Sequence, residues 1–323
     1  MKTNRVKIFF LCLFGTLVLA ACNNKPVEAV KFHRLDQVLF TTPVEQLQLR
    51  LQQSQGEFAT DLLTLYPDDP HYIELLQGFV SDPIMREIYR LTDSCFGSME
   101  ELGKTLGAAM ARATELDPTI RYDHFYTYIT GQFDYTQRVI ANSHELLISL
   151  DQYVLPFTQQ YQYFGLPLFL VQQSRPQFLP IDCMNAIASE RVSLPESMTL
   201  LDYMVAEGKA IYFTHLTLPE AHDSLLLRYT ADQLRWMEEN EEHVWAYFLH
   251  NKVLYETDFN RFHNLIDDAP KTNAFRDSSP RTTDYIGYRI VSQYMKKSGV
   301  SLQELFSDTD AQKILQQSNY RPK

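Results

Sequence analysis

Hydrophobic residues change their period several times along the chain. The first run, Ile8 to Ala20, is apolar almost throughout and follows Lys2, Arg5 and Lys7. It is too short to span a bilayer as a stable helix, so it predicts a secretion signal. After a polar stretch, Phe32-His33-Arg34-Leu35-Asp36 with Leu39 and Phe40 predicts a short strand or an anchoring segment, and helical spacing then runs from Val44 to about Leu65. Tyr66-Pro67-Asp68-Asp69-Pro70 is a turn, whose paired aspartates are read as loop residues and not as calcium ligands. From His71 to about Ala113 the helical stride returns, carried by Met99, Leu102, Leu106 and Met110, and Asp82-Pro83 starts the second of three expected helices.

Tyr122 to Thr130 is dense in aromatic and β-branched residues, and Glu145 to Val154 is a second extended run, which together predict a small sheet near residues 122–154. Helices resume near Pro180. The capping box of Thr230 with Gln233 opens a long helix whose Leu234, Met237, Val244, Trp245 and Phe248 face inward, while Glu238, Glu239, Glu241 and Glu242 mostly face water. A final helical pair, Asp284 to Lys297 and Ser301 to Gln317, is separated by Lys297-Ser298-Gly299. The fold class expected is α+β, predominantly α-helical. Residues 32–323 are expected to form a single large domain, with a helical part over 32–120 and the sheet and further helices over 121–323.

The end of the signal narrows its type. Leu19-Ala20-Ala21-Cys22 is the branched-small-small-cysteine pattern of lipoprotein processing, so residues 1–21 are expected to be removed and Cys22 to carry lipid. Asn23-Asn24-Lys25-Pro26 then begins a polar tether over residues 22–31 with no composition for folding. The mature chain would therefore be membrane-associated through lipid on Cys22 and sit in the cell envelope. It lacks an acidic cluster just after the cysteine, which favours the periplasmic face. Loss of the signal removes three basic and no acidic side chains, leaving a chain more acidic than the formal −11 of the whole sequence. No basic stripe remains for phosphates, so no nucleic-acid partner is expected. With Cys12 removed and Cys22 acylated, Cys95 and Cys183 either pair or remain as two buried thiols.

Catalytic motifs are sparse. His144-Glu145 begins a zinc-peptidase pattern but continues Leu146-Leu147-Ile148, and His243 and His250 read as helix-surface residues. No nucleophile elbow, phosphate loop, dinucleotide fingerprint or Cys-x-x-Cys occurs. No metal and no cofactor are expected. One segment carries the candidate chemistry, Thr199 to Phe213. Leu200, Met204 and Ile211 share one helical face, and Glu207 lies on it too, so a carboxylate points inward and needs a partner or a purpose. Glu207, Lys209 and Tyr212 of this segment are binding candidates, together with Arg289 of the later block, although Arg289 falls nearly opposite the stripe of Ile286, Ile290, Val291 and Tyr294. Gly287 inside that stripe predicts close approach of another helix or of a ligand, with helix packing the preferred reading.

At these blocks the sequence resembles the gliding-motility lipoproteins of the GldB type. The similarity is carried by the pattern ending at Cys22, the Tyr122 to Thr130 run, Leu200-Leu201-Asp202 through Glu207-Gly208-Lys209, Trp236 through Tyr247, and Tyr285-Ile286-Gly287-Tyr288-Arg289-Ile290-Val291 through Tyr294-Met295. What it implies is an envelope lipoprotein, associated in gliding relatives with secretion and adhesin movement, with other envelope proteins as partners. The same type is distantly similar to predicted zinc peptidases of the zincin kind. That similarity implies a degenerate zincin-like scaffold, in which the helix after Leu179-Pro180 would hold the metal pair and the Glu207-Gly208 helix a third ligand. Here that first helix reads Ile181-Asp182-Cys183-Met184-Asn185-Ala186-Ile187-Ala188-Ser189-Glu190, with no histidine. The function expected is therefore a non-catalytic accessory or binding component of an envelope assembly. The alternative is a metal-dependent peptidase or other hydrolase centred on Glu207, with a set such as Asp182, Cys183 and a remote histidine.

Overall fold

A four-stranded mixed sheet is set among the helices of the computed structural model, which describes residues 28–322 apart from Ala59, Asp61, Phe133, Asp134, Tyr163 and Phe164. The expected signal and acylation site precede Glu28 and lie outside the described residues. The sheet runs in the order β1 (Phe32–Arg34), β2 (His124–Tyr128), β4 (Glu145–Ser149), β3 (Val139–Asn142). β1 and β4 both pair parallel with β2, and β3 closes the far edge antiparallel to β4. Phe32, Phe125 and Leu146 stand in register, as do Thr127 and Ile148, and this face joins the core. β3 went unread because Val139-Ile140-Ala141-Asn142 is half-buried at every position and shows no alternation.

Local chemistry sets the helix boundaries. α1 (Leu35–Thr41) leaves β1 directly, where a strand or anchoring segment was expected to continue to Phe40. α2 (Leu47–Ser54) ends well short of the expected Leu65, because Gly56 follows and Phe58 turns to fill the core while the Thr60 hydroxyl accepts from the Leu62 and Leu63 amides. α3 (Pro70–Ser81) and α4 (Pro83–Phe96) each start with proline after a capping aspartate, Asp69 and Asp82, whose carboxylates accept from two backbone amides each. The paired aspartates of the turn thus include a helix cap. α5 (Glu100–Leu116) completes the three expected helices.

Beyond the sheet come α6 (Leu168–Gln172), α7 (Leu179–Arg191) and α8 (Leu200–Thr217), the last opened by a capping box of Thr199 and Asp202. α9 (Asp223–Leu226) leads to α10 (Ala231–His250), whose Thr230–Gln233 box and buried Leu234, Met237, Val244 and Phe248 match the sequence pattern, with Trp245 half-buried. Glu241 departs from it. It is half-buried and accepts from the hydroxyls of Tyr320 at 2.8 Å and Tyr285 at 3.4 Å. α11 (Phe259–Ile266) and α12 (Thr282–Ser298) follow, and α12 stops at Gly299 in the left-handed region. The last helix is split into α13 (Leu302–Ser307) and α14 (Ala311–Ser318), because the Asp310 carboxylate accepts from the Lys313 amide and caps a new start at Ala311.

α8 and α12 cross at the centre of the molecule through two glycines. A methyl group at Gly208 would collide with the backbone of Gly287, and one at Gly287 would fall inside the carbonyl of Met204. Backbone therefore lies on backbone, as Gly287 predicted. One continuous core runs from Leu35 to Tyr320. Cys95 is exposed and Cys183 buried, and both thiols are free, so of the two alternatives the thiols stay unpaired but only one is buried.

Candidate functional site

The α8–α12 crossing sets Glu207, one residue before Gly208, against Asp284, one turn before Gly287. Between α7, α8, α11, the start of α12 and the segment before β3 runs a cleft with two adjoining parts of about 480 and 640 Å3, which share Thr136, Asp268 and Arg281. α7 turns Asp182, Asn185, Ala186 and Ser189 into the smaller part, the i, i+3, i+4, i+7 spacing of one helical face. Glu207, Tyr203, Phe259, Asp268 and Asp284 line the larger.

Charged groups in the smaller part are tied to each other. Arg228 pairs with Asp182, donates to the Gln173 carbonyl at 3.0 Å, and stacks 4.8 Å over the Phe178 ring. Tyr153, fully buried, donates to the other Asp182 oxygen at 2.7 Å. Arg138 reaches the Ser174 hydroxyl at 3.2 Å and lies 4.0 Å from Asp182. Burial and the neighbouring Arg138 and Arg281 push the Arg228 guanidinium down to about 9, which leaves it charged at neutral pH.

Arg281 centres the larger part. It lies 3.5 Å from Asp268 and 3.5 Å from Asp284, and donates to the Leu227 carbonyl at 3.0 Å. The loop that carries it is pinned: the Tyr229 hydroxyl donates to its carbonyl, and Ser279 donates to the Gln233 carbonyl. Arg281 and Arg228 both hold left-handed backbone, at φ 43° and 55°. That conformation is costly for a residue with a side chain and persists only where surroundings enforce it.

Glu207 accepts no hydrogen bond among the described residues, and its carboxylate is open to the cleft. The protein around it pushes its pKa up, Arg281 opposes the shift and Asp268 adds to it, while access to cleft water moderates the whole effect. Asp284 is more enclosed. Desolvation raises it to about 7, against the pull of Arg281 and with the push of Glu207 and Asp268. Three carboxylates thus gather round one guanidinium.

Of the four binding candidates, Glu207, Lys209, Tyr212 and Arg289, Glu207 alone reaches the cleft. Lys209 points to the other side of α8, where it is 2% exposed and donates to the Asp308 carbonyl at 2.5 Å; burial lowers its ammonium to about 8. Tyr212 is half-buried near Tyr288, and Arg289 is exposed and pairs with Glu241 at 3.2 Å. The positive charge that acts on Glu207 is Arg281, which stands just before the Asp284 block and so escaped a search for helical faces. Asp182 lies in the cleft, but Cys183 faces the core. Among the described residues no group of three or more histidine, cysteine or acidic side chains is placed to hold a metal ion.

No helix among the described residues is long and apolar enough to cross a membrane. No curated protein and no solved structure matches the chain. The family model described as gliding motility protein GldB matches residues 20–322, and the chain belongs to that family of gliding-motility lipoproteins.

Proposed function

We propose that this protein is an accessory or binding component of a cell-envelope assembly, lipid-anchored at Cys22, whose cleft holds a ligand without turning it over. The supporting observation is the state of the cleft's charges. Arg228 is committed to Asp182 and Arg281 to Asp268 and Asp284, and among the described residues no histidine or cysteine lines either part. Charges held in place in this way suit recognition by complementarity more than bond cleavage. The scaffold is read as a non-catalytic descendant of a zincin-like fold. In support, β3 borders the helix α7, and α8 brings Glu207 to the same cleft, while α7 offers Asp182, Asn185, Ala186 and Ser189 where a metal pair would be needed.

One observation favours a second reading. Glu207 and Asp284, both raised and close together, have the environment of a general acid, which keeps open a hydrolase centred on Glu207. The test is metal content by mass spectrometry on soluble residues 23–323, purified without chelator or tag histidines, with peptidase turnover of wild type and Glu207→Gln on a mixed peptide substrate. The binding reading expects no stoichiometric metal and no turnover that depends on Glu207. Stoichiometric zinc, or turnover abolished in a normally stable Glu207→Gln, would overturn it.

A further inference from the structure

A second pocket, with no lining residue in common with the cleft, opens where α5 passes the end of α8. It encloses about 370 Å3. Thr105, Ala108 and Arg112 come from one face of α5, at the i, i+3, i+7 spacing. Pro180 and Ile181 at the start of α7 add a second wall, and Leu218, Ala221 and Leu225, from the end of α8 into α9, a third. Ile181 and Leu218 are buried, whereas Thr105, Gln177 and Glu220 are exposed. The pocket is therefore apolar at depth and polar at its rim.

Arg112 is half-buried in this wall. Its Nη1 donates to the Thr217 carbonyl at 2.9 Å and so closes the last turn of α8. A guanidinium carries five N–H donors in a planar fork, and among the described residues no acceptor meets the rest. No carboxylate pairs with it there either. Arg34, Arg138, Arg191, Arg228 and Arg281 are likewise withdrawn from solvent, and each stands beside an aspartate. Glu220 lies on the rim, where water and salt screen its charge. Arg112 thus sets a positive charge, with donors left over, on the wall of an apolar pocket.

Charge complementarity asks for an anion on those donors, and the apolar depth asks for a hydrocarbon body behind it. Size limits the body. An apolar cavity of about 150 Å3 takes benzene with its six carbons, so 370 Å3 takes on the order of fifteen, which is one acyl chain and not the two of a phospholipid. A peptide fits less well, because every residue brings an amide and a carbonyl that must be paired, and Ile181, Leu218, Ala221 and Leu225 present only hydrocarbon side chains.

We propose that this pocket binds one fatty-acid-like monocarboxylate, with its chain against Ile181, Leu218 and Leu225 and its carboxylate on the free N–H groups of Arg112. The site is independent of the cleft and of whatever the cleft holds. The test uses the chain from residue 23 onward, which contains every described residue, purified without detergent, and dodecanoate below its micellar concentration. Calorimetry should show one saturable site that binds dodecanoate at least about tenfold more tightly than dodecanol, which lacks the charge, and than butanoate, which lacks the chain. A dodecanoate carrying a photoreactive diazirine should crosslink within residues 105–112, 177–181 or 218–225 of the wild-type protein, read by peptide mass spectrometry. Arg112→Gln should remove the preference over dodecanol, Arg112→Lys should restore most of it, and Ala221→Trp, which fills the pocket, should weaken both ligands. No saturable binding, equal affinity for dodecanoate and dodecanol, crosslinks elsewhere, or a preference that survives Arg112→Gln would overturn the proposal. Tighter binding of an N-acetylated tripeptide ending in phenylalanine would overturn the acyl assignment. If a variant fails to fold, the wild-type selectivity and crosslink positions decide alone.

Discussion

Gly287→Ala is a one-methyl change at the point on which the cleft depends. The new carbon would fall inside the Met204 carbonyl, with the Met204 α-carbon at 3.2 Å, so no side-chain rotation can relieve it. α8 and α12 must part. A gap of about 1 Å forfeits roughly a quarter to a half of the dispersion energy across the facing surfaces, and overpacking a well-filled site typically costs about 1–3 kcal/mol, more where backbone must move. Alanine recovers about 1 kcal/mol of helix propensity. The net expectation is about 3 kcal/mol of destabilisation, which at this size lowers the melting temperature by roughly 5–10 °C. Gly208→Ala presses on the same crossing from the other helix, against Gly287. Once the helices have moved apart for one methyl they have made room for the other, so the double variant should cost less than the sum of the two. Circular-dichroism melts of the three variants test this. A Gly287→Ala melting temperature within 2 °C of wild type, or full additivity, would refute the backbone-on-backbone contact.

The other expectations concern charge and thiol chemistry. Asp284 titrates near 7 in the fold against about 4 when unfolded. The folded state therefore holds the extra proton between those values, and this group's contribution to stability is present at low pH and lost as pH rises through 7. Asp284→Asn should accordingly gain melting temperature relative to wild type more at pH 8 than at pH 5; a flat or reversed difference would refute the raised carboxyl. Asp182→Asn takes the carboxylate partner from Arg228 while the guanidinium stays buried, and should cost about 3 kcal/mol by denaturant unfolding, well beyond the effect of an exposed change such as Asp232→Asn. Ellman's reagent should modify one thiol, Cys95, in the native mature chain and reach Cys183 only on unfolding, since Cys183 is fully enclosed and its thiol is driven upward by burial.

Legibility followed the range of the interactions. Signals confined to one helical turn read through well: Asp82-Pro83, the Thr230–Gln233 box and the Gly299 stop all stand where the pattern placed them. β3 did not, because it is decided by a partner outside its own segment, and the split of the last helix, though capped locally by Asp310, is also held by a distant one. β3 exists because β4 offers it an edge, and the Lys209 ammonium, ninety-nine residues from Asp308, bonds the carbonyl at the break between α13 and α14. The site shows the same division. Glu207 was legible from its own helix, whereas Arg281, Asp268 and Arg228 sit on connecting segments that no period describes. Arg228 and Arg281 do share a left-handed backbone, but a sequence signals that conformation only through glycine or asparagine, and arginine gives no such sign.

The glycine contact between α8 and α12 bears on how anything could bind. Two helices whose backbones touch have no soft side chains between them to compress or splay, so the wall that presents Glu207 and Asp284 behaves as a fixed jaw. A ligand meets that half of its surroundings already in place and loses little free energy to ordering it. Any closure must come from the opposite jaw, where Phe259 stands 46% exposed at the start of the short α11. Selectivity in this cleft would then be read by the rigid side, and residence time set by the other.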